Sequence, residues 1–376
     1  IRVMLDGVFS HTGDNSVYFN RYGLYNSIGA YQSKDSPYAS WYRFKNFPEE
    51  YDCWWGVKTL PEVEENCPSY RDFIIEDKNS VVAQWIRRGS SGWRLDVADE
   101  LPDDFIIALR KRVKAENPDA AVLGEVWEDA SNKVAYGQLR SYALGHSLDS
   151  AMNYPLRNAL LNFFTGKGTS EDFARTVRSL HENYPPQMFY ALMNLVGSHD
   201  RARVLNVLAG LSGENAPKET WRTLRLDQAH YDMAKRRLKA MFALVCALPG
   251  MPTVYYGDEV GMEGFEDPLN RGTFPWGGED AALTAFFRTL GDLRQRESLR
   301  RGRLAYIRNQ GGCLVIERAA DGERTVTALN AGDAPVELVL PWDAPTARDG
   351  VTGQRFLTEG GVLRVTLPPL DGMILV

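Results

Sequence analysis

The chain has 376 residues, 44% of them hydrophobic and 24% charged, with a formal net charge of −6. This length allows two or three domains and a sizeable core, with roughly 70–75% of the unfolded surface buried on folding. The acidic balance and the absence of any Lys or Arg run argue against nucleic acid or an anionic membrane as partner and fit a neutral substrate.

No apolar run reaches the roughly 18–20 residues of a membrane-crossing helix. Four cysteines, Cys53, Cys67, Cys246 and Cys313, show no metal-ligand spacing. Cys53 and Cys67 are the pair that a secreted protein would bridge, although four scattered cysteines more often stay reduced. The 9 Trp and 17 Tyr are frequent in the first 100 residues. They either pack a core or offer flat surfaces to the C–H faces of sugar rings.

In chain order, Ile1-Arg2-Val3-Met4-Leu5 reads as a buried strand already under way, with no initial Met and no signal-peptide pattern. The expectation is a further segment upstream and a cytoplasmic location. To about Arg300 short apolar strands alternate with amphipathic helices, the pattern of a parallel α/β sheet. The strand candidates are 2–6, 92–97, 120–126, 148–152, 189–196 and 252–256. Their near-continuous apolar runs suit strands buried on both faces. A helix is expected over 103–116, where Phe105, Leu109 and Val113 recur every four residues and Asn117-Pro118 ends the run. A second is expected over 230–247, ahead of Pro249-Gly250. Residues 12–75 have no sustained period and are too long for an ordinary loop, so they read as an inserted subdomain. From 301 to 376, short alternating stretches (313–318, 324–330, 335–340, 361–367) between Gly, Asp and Pro turns predict an antiparallel β sandwich.

Polar groups gather where the strand candidates end. Asp6 and His11 follow the first, Arg94 and Asp96 close Gly92-Trp93-Arg94-Leu95-Asp96, Glu125 closes Val122-Leu123-Gly124-Glu125, and His199-Asp200 follow Val196-Gly197-Ser198. In a parallel sheet or barrel, the C-terminal ends of the strands share the ligand-binding face. A barrel of about 250 residues in eight units gives about 31 residues per unit. Asp96 to Glu125 is 29 residues, one unit; Glu125 to Asp200 is 75, two units with a longer helix. Acids on one rim repel unless they have separate tasks, and glycoside cleavage supplies such tasks: one carboxylate attacks while a protonated one donates. Arg94 points to the same side as Asp96 and would keep it ionised. Val126 and Trp127 give Glu125 an apolar neighbourhood that would raise its pKa. Taken singly, each residue also fits a structural role. From the residues alone the reading stops at an α/β barrel with a carboxylate-based enzyme site.

Four motifs, in order, carry the chain further: Asp6-Gly7-Val8-Phe9-Ser10-His11, Gly92-Trp93-Arg94-Leu95-Asp96-Val97-Ala98-Asp99-Glu100, Gly124-Glu125-Val126-Trp127 and Val196-Gly197-Ser198-His199-Asp200. Leu60-Pro61-Glu62-Val63-Glu64 and the run from Gly250 to Glu259 support them. Together they resemble the α-amylase superfamily of glycoside hydrolases, within it the neopullulanase, cyclomaltodextrinase and maltogenic amylase group. The resemblance covers essentially the whole chain. It implies a TIM-type (β/α)8 barrel, N-terminally incomplete and starting at the third strand, over residues 1–300, with the insert at 12–75 and the sandwich at 301–376.

The resemblance implies Asp96 as nucleophile, Glu125 as acid/base, and Asp200 as stabiliser of the oxocarbenium-like transition state. His11 and His199 would hydrogen-bond the sugar, Arg94 would orient Asp96, and Asp6 would buttress Arg94. Glu100 would lie near the acceptor side. Trp54 and Trp55 would be either stacking platforms or subdomain core. The substrate would be an α-glucan oligosaccharide or polysaccharide cleaved at α-1,4 bonds. Transfer to another sugar at the same site, or an inactive glucan-binding fragment, are the alternatives. No cofactor is required. The calcium found in many relatives is disfavoured by Ser10 and Glu62, and a second oxygen-rich set, Asp14, Asn15 and Asn20, is more simply a solvated loop. The group also implies a homodimer for a full-length parent.

Overall fold

The computed structural model describes the chain from Ile1 to Val376 except residues 214, 215, 311 and 321. The chain divides into two compact units, Ile1–Met152 and Asn153–Val376.

In the first unit four parallel strands form one sheet in the order β1 (Leu5–Gly7), β2 (Gly92–Leu95), β3 (Ala121–Gly124), β4 (Ser150–Ala151). The register sets Asp6 beside Arg94 and Leu95 beside Gly124. Trp93, Leu95, Val122, Leu123 and Ala151 are buried, as the continuous apolar runs require. The strands lie where the sequence places them, but β2, β3 and β4 are shorter than the expected runs and β1 sits toward the C-terminal end of its run. The cause is clear at β2: Asp96 still donates its N–H to Gly7 O at 3.1 Å, and Val97 then turns to φ +38°. A β-branched residue in that region cannot continue a strand.

Helices flank this sheet. Ser80 caps α1 (Val81–Arg87) by accepting the Ala83 N–H. The next helix, α2, spans Asp103–Glu116, the expected bounds, and buries Phe105, Ile106, Leu109 and Val113. Asp149 fastens it to the sheet, pairing with Arg110 and Lys114 at 2.9 Å each and accepting the Val122 N–H.

The insert holds a small antiparallel hairpin, Phe44–Asn46 with Glu50–Tyr51, among short 3-10 turns. Its core is aromatic. Phe19 lies 4.8 Å from Tyr51 and 4.9 Å from Tyr42 between ring centroids, and Trp41 lies 5.1 Å from Tyr70. Most aromatic residues of 12–75 therefore serve packing, since rings of this size supply much buried surface in a segment without long elements. All four cysteines are free.

The second unit contains helices α3 (Tyr154–Phe164) and α4 (Ser170–Asn183), then two parallel paired strands, β5 (Met193–Leu195) and β6 (Met251–Thr253), joined through α5 (Gln228–Ala247). Asp227 caps α5, which starts two residues before the expected position. Thr169 and Asp172 form a reciprocal capping box on α4. After α6 (Ala281–Leu293) the chain becomes antiparallel. One sheet runs β7 (Arg303–Gln310), β8 (Cys313–Ala320), β9 (Glu323–Asn330), β14 (Asp371–Leu375). The other runs β10 (Val336–Pro341), β13 (Val362–Leu367), β12 (Arg355–Glu359), β11 (Thr346–Arg348). Val315, Val326, Leu338, Leu340, Trp342, Leu363 and Leu375 share the core between them, each buried Val or Leu contributing about 1.5–3 kcal/mol. Helix α5 packs on β9 and β14. The buried guanidinium of Arg318 donates to Ala247 O at the end of α5 and to Gly302 O, satisfying carbonyls that the helix leaves open.

The β2–β3 pair tolerates no side chain at Gly92, whose φ is +153° and whose added Cβ would stand 2.1 Å from Ala121 O. Gly92→Ala is expected to lower the stability by about 2–3 kcal/mol, read from the urea unfolding midpoint. An unchanged midpoint would show that the β2–β3 spacing is not limiting.

Candidate active site

The end of β2 gathers charge around one guanidinium. Arg94 Nη1 lies 2.8 Å from Asp6 Oδ1 and 2.6 Å from Asp96 Oδ1, and its Nη2 lies 2.8 Å from Glu125 Oε2. The terminal nitrogens of a guanidinium are about 2.3 Å apart, so these oxygens of Asp96 and Glu125 lie within about 8 Å of each other. The two carboxylates thus meet at one guanidinium. Burial works against the Arg94 cation, but Glu125, Asp6 and Asp96 outweigh it and hold its pKa above the usual guanidinium value. Asp6 meets Arg94 at Nη1, the same nitrogen that holds Asp96, while Glu125 takes Nη2.

Glu125 is 4% exposed. Its surroundings differ from the apolar pocket expected from Val126 and Trp127. The Trp127 indole N–H donates to Oε1 at 3.0 Å and the Val97 N–H donates to Oε2 at 2.8 Å. The neighbouring Trp contributes its polar edge rather than its face, which the sequence could not specify. The unusual conformation of Val97 has a consequence here: the left-handed turn aims its N–H at the acid. Backbone strain held by such a partner is a recurring feature of reactive sites.

His11 is half-buried, with Nδ1 3.0 Å from Ser10 Oγ and its ring 5.5 Å from Trp54. Burial lowers its pKa, opposed by Asp96 and Glu100, so the ring is neutral at pH 7 and can both donate and accept. Trp54 lies 6.0 Å from Trp55, and its indole N–H is buried without an acceptor among the described residues. Trp55 is exposed and donates to Glu100 Oε1 at 3.4 Å; Tyr136 donates to Glu100 Oε2 at 2.5 Å. Trp55 is therefore not subdomain core, whereas Trp54 is half-buried.

His199 and Asp200 belong to the second unit. His199 Nε2 is 3.4 Å from Asp200 Oδ2, and Arg271 Nη2 is 3.7 Å from Asp200 Oδ1. Their segment is held by Asn270, whose side-chain amide donates to the carbonyls of Ser198, His199 and Arg201, with Arg271 also donating to His199 O. Asn270 and Arg271 were not among the sequence candidates. They come from a loop 70 residues later, and no local spacing announces such a brace. A cleft of about 900 Å3 in this unit contains none of the named residues. It lies along the apolar flank of β6 and α6, walled by Phe242, Val254, Phe274 and Trp276.

Asp14 and Asn20 are buried rather than solvated, and an oxygen of each, like that of Ser10, is engaged with a protein partner. Ser10 Oγ is engaged with His11, and Asp14 Oδ2 is held by Arg21 at 3.3 Å and Tyr22 at 3.0 Å. Asn20 turns its amide N–H groups, not its oxygen, toward the carbonyls of Tyr25 and Ser27. Among the described residues no three His, Cys, Asp or Glu side chains group as metal ligands, and no helix is long and apolar enough to cross a membrane.

Parallel strands with acids at their C-terminal ends, and antiparallel sheets later in the chain, are the pattern of an α/β enzyme. Residues 1–301 match the family described as alpha amylase, catalytic domain, and the chain belongs to that family. It is 35% identical to an amylopullulanase of Thermoanaerobacter thermohydrosulfuricus, with 100% of this chain and 28% of that protein covered. It is 32% identical to a cyclomaltodextrinase of Geobacillus thermopakistaniensis (strain MAS1), with 98% and 58% covered. The chain thus spans less than two thirds of either relative. The crystal structure of Ttha1563 from Thermus thermophilus superposes with a TM-score of 0.80 at 30% identity, covering 100% of this chain and 76% of that one.

Removing the shared cation leaves three carboxylates facing one another. In Arg94→Met their mutual repulsion has no compensating cation in the folded state, and acid relieves it. The stability of this variant is expected to fall as pH rises from about 4 to 7, seen as a melting temperature lowered far more at pH 7.5 than at pH 5. An equal loss at both values would mean that Arg94 acts by packing alone.

Proposed function

We propose that this chain is a retaining glycoside hydrolase that cleaves α-1,4-glucosidic bonds in starch-like oligosaccharides, cyclodextrins or pullulan through a covalent glycosyl-enzyme intermediate. The observation that carries the reading is the Arg94 bridge between Asp96 and Glu125. It joins the two carboxyl groups through one buried cation, the second of them also accepting two N–H groups. The names of the relatives, an amylopullulanase and a cyclomaltodextrinase, support the substrate class. The scaffold we propose is the (β/α)8 barrel over residues 1–300, with the insert at 12–75 and the sandwich from 301. The family match, which ends at residue 301, supports that boundary.

In the first step an oxygen of Asp96 attacks the anomeric carbon while Glu125 gives its proton to the leaving glycosidic oxygen. The C–O bond to the leaving sugar breaks, and a glycosyl ester with Asp96 forms. Glu125, now a carboxylate, takes a proton from water, which displaces Asp96 and restores both groups. Asp200 binds sugar hydroxyls and offsets the positive charge that develops at the ring oxygen and anomeric carbon. His11 and His199 hydrogen-bond the sugar on the non-reducing side of the cleaved bond. Asn270 acts through the backbone, holding His199 and Asp200 in place.

Asp96→Asn and Glu125→Gln are each expected to reduce reducing-sugar release from maltooligosaccharides by at least about 10³-fold. The first-formed sugar should carry the α configuration by NMR. Unchanged release in Asp96→Asn would remove the nucleophile assignment, and a β product would remove the two-step mechanism. A sugar instead of water as acceptor gives longer oligosaccharides, which product chromatography distinguishes.

A further inference from the structure

Residues 134–139 form a two-residue hairpin, Val134–Ala135 pairing with Gln138–Leu139, that belongs to none of the strands or motifs so far discussed. Its turn residues are Tyr136 at φ +51° and Gly137 at φ +75°. A tight hairpin turn with both central residues at positive φ favours Asn-Gly or Asp-Gly, and a bulky side chain at the first position is strained there. Burial does not offset the strain, because Tyr136 is 75% exposed. Trp55 presents the same combination: φ +49° in a turn, and 79% exposure. These two strained, exposed rings donate to the two oxygens of one carboxylate, Trp55 to Glu100 Oε1 and Tyr136 to Glu100 Oε2.

The hairpin is fastened at its root to the residues on either side of Glu100. Lys133 pairs with Asp99 at 3.0 Å. Arg140 pairs with Asp103 at 2.6 Å and donates to the carbonyls of Asp99 and Leu101. Arg140 is buried, so the anchor is fixed while the tip stands in solvent. The result is an anchored arm whose Tyr136 hydroxyl meets the carboxylate that the Trp55 indole N–H also reaches. Flat rings flanking an acceptor group suit a pyranose, whose C–H faces stack and whose hydroxyls donate. The arm also lies on the acid's side of the site: the Val97 N–H that binds Glu125 opens the turn that carries Glu100.

We propose that Trp55, Glu100 and Tyr136 form a clamp for the glucosyl ring on the leaving-group side of the cleaved bond, and that the 134–139 hairpin thereby selects which sugar occupies it. The assignment rests on the glycosidase reading for the identity of that ring. Tyr136 is a binding residue in this scheme, with Lys133 and Arg140 positioning it.

Maltotetraose titrated by calorimetry into the full chain carrying Glu125→Gln supplies the reference affinity. Adding Tyr136→Asn is expected to weaken binding about tenfold while the melting temperature stays level or rises, because Asn-Gly is the sequence that the turn favours. Leu139→Ala, on the same hairpin and 69% exposed, should change the affinity by less than about twofold. Unaltered affinity in Tyr136→Asn overturns the clamp, as does weaker binding with a lowered melting temperature, which would make Tyr136 structural. Absence of any maltotetraose binding overturns it too. Sugar release by the unsubstituted chain reports on the other reading: release without a Tyr136 effect on binding sinks the clamp alone, and Tyr136-dependent binding without release sinks the hydrolase alone.

Discussion

One guanidinium organises the first unit's chemistry. Arg94 sits on the central part of a parallel sheet, where desolvation of its charge is costly, and it is retained because Asp6, Asp96 and Glu125 surround it. The arrangement is not neutral. One cation faces three carboxyl groups. Parallel register makes it possible. Asp6 and Arg94 are cross-strand partners on β1 and β2, Asp96 leaves the end of β2, and Glu125 leaves the end of β3 one strand further.

The turn after β2 links this cluster to the surface around it. Val97 leaves the strand in a left-handed conformation and binds Glu125 through its N–H, and three residues later Glu100 collects Trp55 and Tyr136. The Arg94 partner Asp96, the N–H that Glu125 accepts and the carboxylate that Trp55 and Tyr136 reach therefore lie within five consecutive residues, Asp96 to Glu100. Rigidity at such a place matters because a shift of about 1 Å in a reacting group can cost roughly a hundredfold in rate. The second unit uses a different device for the same end, an amide side chain that ties three carbonyls around His199 and Asp200.

The elements that were legible in the sequence are those whose signal is local. The helix over 103–116 was readable from its four-residue apolar spacing and its Asn-Pro stop, and β8, β9, β10 and β13 from alternation between turn residues. The strands β2–β4 came out too long, because apolar runs continue past the point where the backbone leaves the ladder. Helices α1, α3, α4 and α6 and strands β7, β11, β12 and β14 were not singled out. Glu125 shows the limit for a side chain. Its neighbours in sequence, Val126 and Trp127, suggested an apolar setting, yet its own partners are a strained backbone N–H 28 residues earlier, an indole edge and a cation from the adjacent strand.

By itself the sequence determined the α/β pattern, the change to an antiparallel sandwich near residue 301, and the order of motifs that bring Asp96, Glu125 and Asp200 to strand ends. It could do so because apolar periodicity, turn residues and motif spacing are properties of neighbouring positions along the chain. Only the tertiary structure decided that Asp6, Asp96 and Glu125 share one guanidinium, that Val97 turns its N–H to the acid, that Asn270 holds the Asp200 segment, and that Tyr136 reaches Glu100. Each of these joins atoms whose separation in sequence carries no period, so their meeting is set by strand register and loop closure rather than by local preference.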